Sequence, residues 1–117
     1  MILIIKDELT DLNTYINKER SNRYSGASVK KQNTSIVMWE CKAQKITKAR
    51  ESVYITFRWF CKNKKKDKDN IAFAKKFILD GLVEAGVIKN DGWDDIEGFQ
   101  DEFEIDAKNP RIEVEIV

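Results

Sequence analysis

The sequence predicts an α/β domain: a mixed sheet of about four strands with helices packed on it. Three observations lead there. Apolar patterning alternates between strand-like and helix-like periods along the chain, in the order strand, helices, strand, helix, strand, strand. The chain has 117 residues, 42% of them hydrophobic, which suits one domain (residues 1–117) around one core. Segment 52–60, SVYITFRWF, is rich in β-branched and aromatic residues, as a central strand requires.

The elements follow in order. Residues 2–6, ILIIK, read as a short buried strand. Asp7, Glu8, Thr10 and Asp11 form a turn with cap candidates, and Leu12, Tyr15 and Ile16 then space a helix that ends near Arg20. SNRYSGAS, around Gly26, reads as a polar connector, a candidate mobile loop. A second helix is predicted from Ser28 to about Lys48, with the polar run KKQNTS as a candidate interruption. In strand 52–60, Val53, Ile55, Phe57 and Trp59 share one face. Tyr54, Thr56, Arg58 and Phe60 share the other, and both faces are expected to be covered. Ile71, Ala74, Phe77, Ile78, Leu82 and Ala85 make the apolar stripe of a helix over 70–85, and Gly86 suits its left-handed stop. Residues 98–106 read as a strand. RIEVEIV alternates cleanly, and the Asn109-Pro110 turn predicts that it pairs with its predecessor as a hairpin.

Composition excludes several chemistries. There is no histidine, so Ser-His-Asp and Cys-His arrangements and His-based metal nucleases are ruled out. Cys41 and Cys61, the only cysteines, form neither a disulfide framework nor a zinc motif. No apolar run reaches membrane-spanning length and no secretory leader pattern opens the chain, so a cytoplasmic protein with no membrane partner is expected. The net charge of +1 hides a split. Residues 1–76 carry 18 Lys/Arg against 8 Asp/Glu, and residues 77–117 carry 3 against 12. One face for a polyanion and one turned away from it would account for this, as would two solvated surfaces.

The chemistry concentrates between Lys62 and Asp95. Lys62, Lys64, Lys65, Lys66 and Lys68 surround Asp67 and Asp69, and a second acidic group, Asp91, Asp94 and Asp95, follows the helix. Asp67 and Asp69, two residues apart, point the same way in an extended chain and offer hard oxygen ligands of the kind Mg2+ takes. Lys76 and Asp80, four apart, share a helix stripe with Asp69. Two other readings compete. Asp69 would serve equally as a helix cap. An EF-hand loop from Asp67 fails, because its sixth and twelfth positions are Ala72 and Ile78 rather than Gly and Glu.

The ordered set Asp67-x-Asp69-Asn70, Lys76-x-x-x-Asp80-x-Leu82, Ala85-Gly86-Val87 and Asn90-Asp91 resembles the RusA family of Holliday-junction resolvases of phages and prophages. The gap from Asn70 to the lysine is longer than the usual family pattern. Both Lys75 and Lys76 therefore come into question, and Lys76 keeps the family's spacing to Asp80. Where the family often has adjacent aspartates this chain has Asn90-Asp91, which retains the second; Asp95 is a reserve.

The resemblance implies a RusA-like fold, a homodimer, and crossover-junction endodeoxyribonuclease activity in recombination and repair within a bacterial host. It implies Mg2+, with Mn2+ as a substitute, on Asp67, Asp69 and Asp91, with Lys76 assisting catalysis and no nucleotide cofactor. Branched DNA is the implied partner. Lys62, Lys64, Lys65, Lys66, Lys68, Arg58, Lys30 and Lys31 are the candidate phosphate contacts, with Lys18, Arg20 and Arg23 behind them. For Arg58, pairing with a carboxylate is the other reading. The rival to the enzyme is a catalytically inactive module that binds junctions or other nucleic acid.

Overall fold

The computed structural model describes residues 1–117. The elements are β1 (Ile2–Lys6), α1 (Leu12–Ser21), α2 (Arg23–Ala43), β2 (Val53–Cys61), α3 (Lys68–Ala72), α4 (Lys75–Glu84), β3 (Ile96–Ile105) and β4 (Arg111–Ile116). The four strands form one mixed sheet in the order β1-β4-β2-β3. The predicted α/β class and strand number hold.

Sheet order follows from how each strand is reached. Strand β2 continues through α3 and α4 to β3, which returns parallel to β2; a helical crossover is what parallel neighbours need. The expected hairpin between β3 and β4 does not form. β4 instead lies antiparallel between β2 and β1. The link at 106–110 passes around the end of β2, where the Asp106 N–H donates to the Cys61 carbonyl at 2.8 Å. Arg111 then seats its guanidinium 3.8 Å above the Phe60 ring and pairs with Asp106 at 2.8 Å.

The core lies on one sheet face. Leu3 and Ile5, Ile112, Val114 and Ile116, and Val53, Ile55, Phe57 and Trp59 are all buried there. Against them pack Phe77, Ile78 and Leu82 of α4 and Val37 and Cys41 of α2. Burial pushes the Cys41 thiol up to about 11, so it behaves as a small apolar side chain. The expectation that both faces of β2 are covered holds in part, since on the far face Thr56 is buried and Phe60 lies beneath Arg111. On the far face Tyr54 is exposed, and Arg58 is held by Glu102 at 3.0 Å and Glu115 at 2.7 Å.

Three helix boundaries differ from the sequence reading. The segment around Gly26 is helical, with Gly26 buried within α2, because Asn22 ends α1 and caps α2 by accepting from the Ser25 N–H. KKQNTS does not interrupt α2. Its Asn33 is buried and bridges to Thr10, donating to the Thr10 hydroxyl and accepting from its N–H. The helix expected over 70–85 is two helices, joined through Phe73 and Ala74. It ends as expected, with Gly86 at φ 76°.

Candidate active site

Two places carry the residues singled out above, and each is built by a different part of the fold. The first is a cleft of about 560 Å³ between α2 and α4, closed by the loop after α4. Its existence depends on Gly81. A Cβ there would lie 2.5 Å from Val37 Cβ and 3.1 Å from the Thr34 carbonyl oxygen, so only glycine lets α4 approach α2 this closely. That approach sets Lys30 and Lys31 of α2 opposite Lys76 and Asp80 of α4, with Asn90 and Asp91 at the rim.

Lys76 is the centre of the cleft's polar groups. Its Nζ lies 3.1 Å from Asp80 Oδ1 and 3.5 Å from Asp91 Oδ2, and Lys30 Nζ lies 3.9 Å from Asp80 Oδ2. The hydrogen bond to Asp80, supported by the charge of Asp91, raises Lys76 above its ordinary value, so it is an ammonium throughout the neutral range. Thr34 also lines this cleft. It is buried, and its hydroxyl has no hydrogen-bond partner, an uncommon state for a buried polar atom.

The structure separates the two candidate lysines. Lys75 is committed to the fold: its Nζ lies 2.7 Å from Asp101 Oδ2 and 4.1 Å from the Phe99 ring centre. Asp101 in turn accepts from the Trp59 indole N–H at 2.9 Å. This arrangement binds α4 to β3. Lys76, with its side chain 54% exposed, is the amine within reach of a ligand.

The second place is the head of α3, beyond the end of β2. Asp67 occupies the N-cap position, though its carboxylate makes no capping hydrogen bond, and Asp69 lies in the first turn; both are exposed. The head itself is firmly held. Asn70 is buried and accepts from the Asn13 N–H at 2.9 Å. Lys66 pairs with Asp11 at 2.9 Å and Glu8 at 3.2 Å. Burial pushes the Asp11 carboxyl up, but the bonds from Lys66 and from the Thr14 N–H outweigh it and leave Asp11 below its ordinary value.

Asp67 lines a cleft with Lys64, Lys66 and Lys68 on one side and Phe103 and Ile105 of β3 on the other. This cleft shares no lining residue with the one that holds Lys76 and Asp91. Asp91 and Asp80 both meet Lys76, and neither Asp67 nor Asp69 lines that cleft. No group of three or more His, Cys, Asp or Glu side chains is placed to hold a metal ion. As a three-carboxylate site for Mg2+ these side chains do not fit in this conformation.

The candidate phosphate contacts divide similarly. Lys62, Lys64, Lys65 and Lys68 are exposed around the α3 head, and Lys30 and Lys31 are exposed on α2. Lys66 and Arg58 are each bound to two carboxylates, Lys66 near α1 and Arg58 on the far sheet face, so both serve the fold. The sequence reading named Asp80 as a spacing partner of Lys76 and a residue of the family motif, and missed Gly81 and Thr34. The four-residue step from Lys76 was the signal for Asp80; no local signal marks the other two.

The chain is thus a small α/β domain with a lysine between two carboxylates, facing Lys30 and Lys31 of α2 across a cleft. Residues 9–117 match the family model described as Endodeoxyribonuclease RusA. The chain belongs to the RusA endodeoxyribonuclease family, a family of DNA-cleaving hydrolases. No curated protein matches it, and none of its helices is long and apolar enough to cross a membrane.

Proposed function

We propose that the chain is a structure-selective endodeoxyribonuclease that resolves four-way (Holliday) junctions by paired nicks. In this reading it acts as a homodimer, depends on Mg2+ and works in the cytoplasm of a bacterial host, encoded by a prophage. The observation that carries the reading is family membership over 9–117 in a chain whose Lys76 is held between Asp80 and Asp91, opposite Lys30 and Lys31. A dimer with two-fold symmetry would present two such centres to two opposed strands.

Each side chain has a definite task. Lys30 and Lys31 hold the phosphate backbone without reading sequence. Lys76 stabilises the charge that builds on the scissile phosphate, its two carboxylate partners having fixed its position and proton beforehand. Asp91, at the rim, accepts a hydrogen bond from the attacking water. By resemblance, Asp67 and Asp69 are further catalytic carboxylates. They lie outside the Lys76 cleft in the free chain, so this reading requires the DNA-bound state to join them to it.

That separation also supports the second reading, a junction-binding module without cleavage. The two part on one assay: incubation with a synthetic four-way junction and Mg2+, with Mn2+ in parallel. Paired symmetric nicks establish the enzyme. Tight binding with no nicks in either metal establishes the binding module.

A further inference from the structure

The two edges of the sheet are finished differently. At the β1 edge the Gln44 side chain stands in for a neighbouring strand. Its amide donates to the Ile4 carbonyl at 2.6 Å and accepts from the Ile4 N–H at 2.9 Å. The other edge is β3, ten residues long. From Glu97 to Ile105 its outward backbone groups have no partner. An open edge of this length is a template for another strand. Its apolar side chains are left showing as well. Phe99 is 49% and Ile105 47% exposed, with Phe103 half-buried between them, all on the sheet face that carries the helices.

The strand is complementary to itself. Its centre reads Phe99-Gln100-Asp101-Glu102-Phe103, with the same residue at both ends. A two-fold axis through Asp101 sets it antiparallel to a second copy, with side chains of the same face opposite one another. Phe99 then lies against the partner's Phe103 and Gln100 against the partner's Glu102, each pair occurring twice. The carboxylates do not oppose this. Glu102 is paired with Arg58 at 3.0 Å and accepts from the Gln100 amide at 3.1 Å. Asp101, which meets its own copy on the axis, is drawn back into its own subunit by Lys75 at 2.7 Å and the Trp59 indole N–H at 2.9 Å. Neighbouring registers lose these pairings. An axis through Gln100 sets Phe99 against the partner's Asp101, and one through Glu102 sets Glu102 against its own copy.

We propose that the outer edge of β3 is an interface between two copies of this chain, paired antiparallel about Asp101. This rests on the homodimer of the reading above and names its contact surface. The axis stands perpendicular to the sheet. The pairing therefore joins the two four-stranded sheets into one and sets both helix layers, with both Lys76 clefts, on the same side. The test is sedimentation equilibrium over a concentration series for the wild type, Gln100→Glu and Gln100→Lys. Gln100 is exposed, so both variants should fold. Gln100→Glu sets a like charge against Glu102 twice and should weaken the dimer about tenfold, the scale of two cross-strand charge pairs. Gln100→Lys sets an opposite charge there and should tighten it by a similar factor. Equal dimer affinities in all three proteins, or shifts in the same direction for both variants, overturn the interface and leave the homodimer standing. A wild type that is monomeric throughout, with and without a four-way junction, overturns both.

Discussion

The heads of α3 and α4 differ in what their charges are already doing. At α4, Lys76 has two carboxylate partners, and its cleft is assembled by the packing of α4 on α2 and by the loop after α4. At α3 the backbone is tied down through Asn70 and Lys66, yet Asp67 and Asp69 are exposed, and Asp67 leaves its capping role unused. One head is balanced before any ligand arrives; the other holds free carboxylates on a rigid support. In the proposed reading, DNA brings the two heads together. The helix break at Phe73–Ala74 lies between the two halves.

The sharpest way to break the comparison is at the balanced head. Lys76→Ala should lower the single-turnover rate of junction cleavage by about 100-fold or more, the scale for removing one preorganised electrostatic donor, while junction binding stays within a few-fold. Lys75→Ala should behave differently. It frees Asp101 and loosens α4 from β3, so it should lower the melting temperature more than the rate of the folded enzyme.

Next in size is the packing that makes the α4 cleft. Gly81→Ala forces a methyl group against Val37 and should cost about 1–3 kcal/mol of stability, as overpacking does; denaturant unfolding measures it. Backbone amides around Asn70 should keep their hydrogen-exchange protection relative to the global value, since the α3 ties do not pass through Gly81.

The basic wall comes third. The Lys30→Ala, Lys31→Ala double variant should reduce the slope of log affinity against log salt by about two units if both lysines touch phosphate, near one per contact. An unchanged slope removes them from the interface. The smallest expected effect is at the pair of Asp11 with Lys66. Because Asp11 is held below its ordinary value, its pairing with Lys66 contributes stability at pH above about 4 and loses it as pH falls through the lowered value. The contribution should be constant through neutral pH. In acid, Asp11→Asn should show a flatter loss of stability than the wild type.

Much of this was legible in the chain. The alternation of residues 111–117 fixed which side chains of β4 point inward, and the stripe from Phe77 to Leu82 fixed the buried face of α4. Periodicity says which way a side chain points, not which strand lies beside it. The Asn109-Pro110 turn therefore suggested a hairpin, although β3, parallel to β2, leaves β4 its place on the other side. The α2 reading failed at Gly26 and at KKQNTS because tertiary bonds outweighed local propensity; Asn33 is buried against Thr10, a partner distant in sequence. Lys76 and Asp80 pair as their four-residue spacing suggested, while Asp69, expected on the same stripe, lies on the separate helix α3. The gathering of Asp67 and Asp69 with them is a property of three-dimensional packing, and no spacing rule spans the break in the helix.

The central claim, that the two heads form one catalytic site on DNA, is tested most directly by a double-mutant cycle. Single-turnover cleavage of a four-way junction in Mg2+ would be measured for Asp69→Asn, Asp91→Asn and the pair. Groups acting as a unit are strongly non-additive. Each single change should therefore cost about 100-fold or more, and the pair no more than the worse of the two. Losses that multiply, or an Asp69→Asn enzyme that cuts at the wild-type rate, would contradict the account.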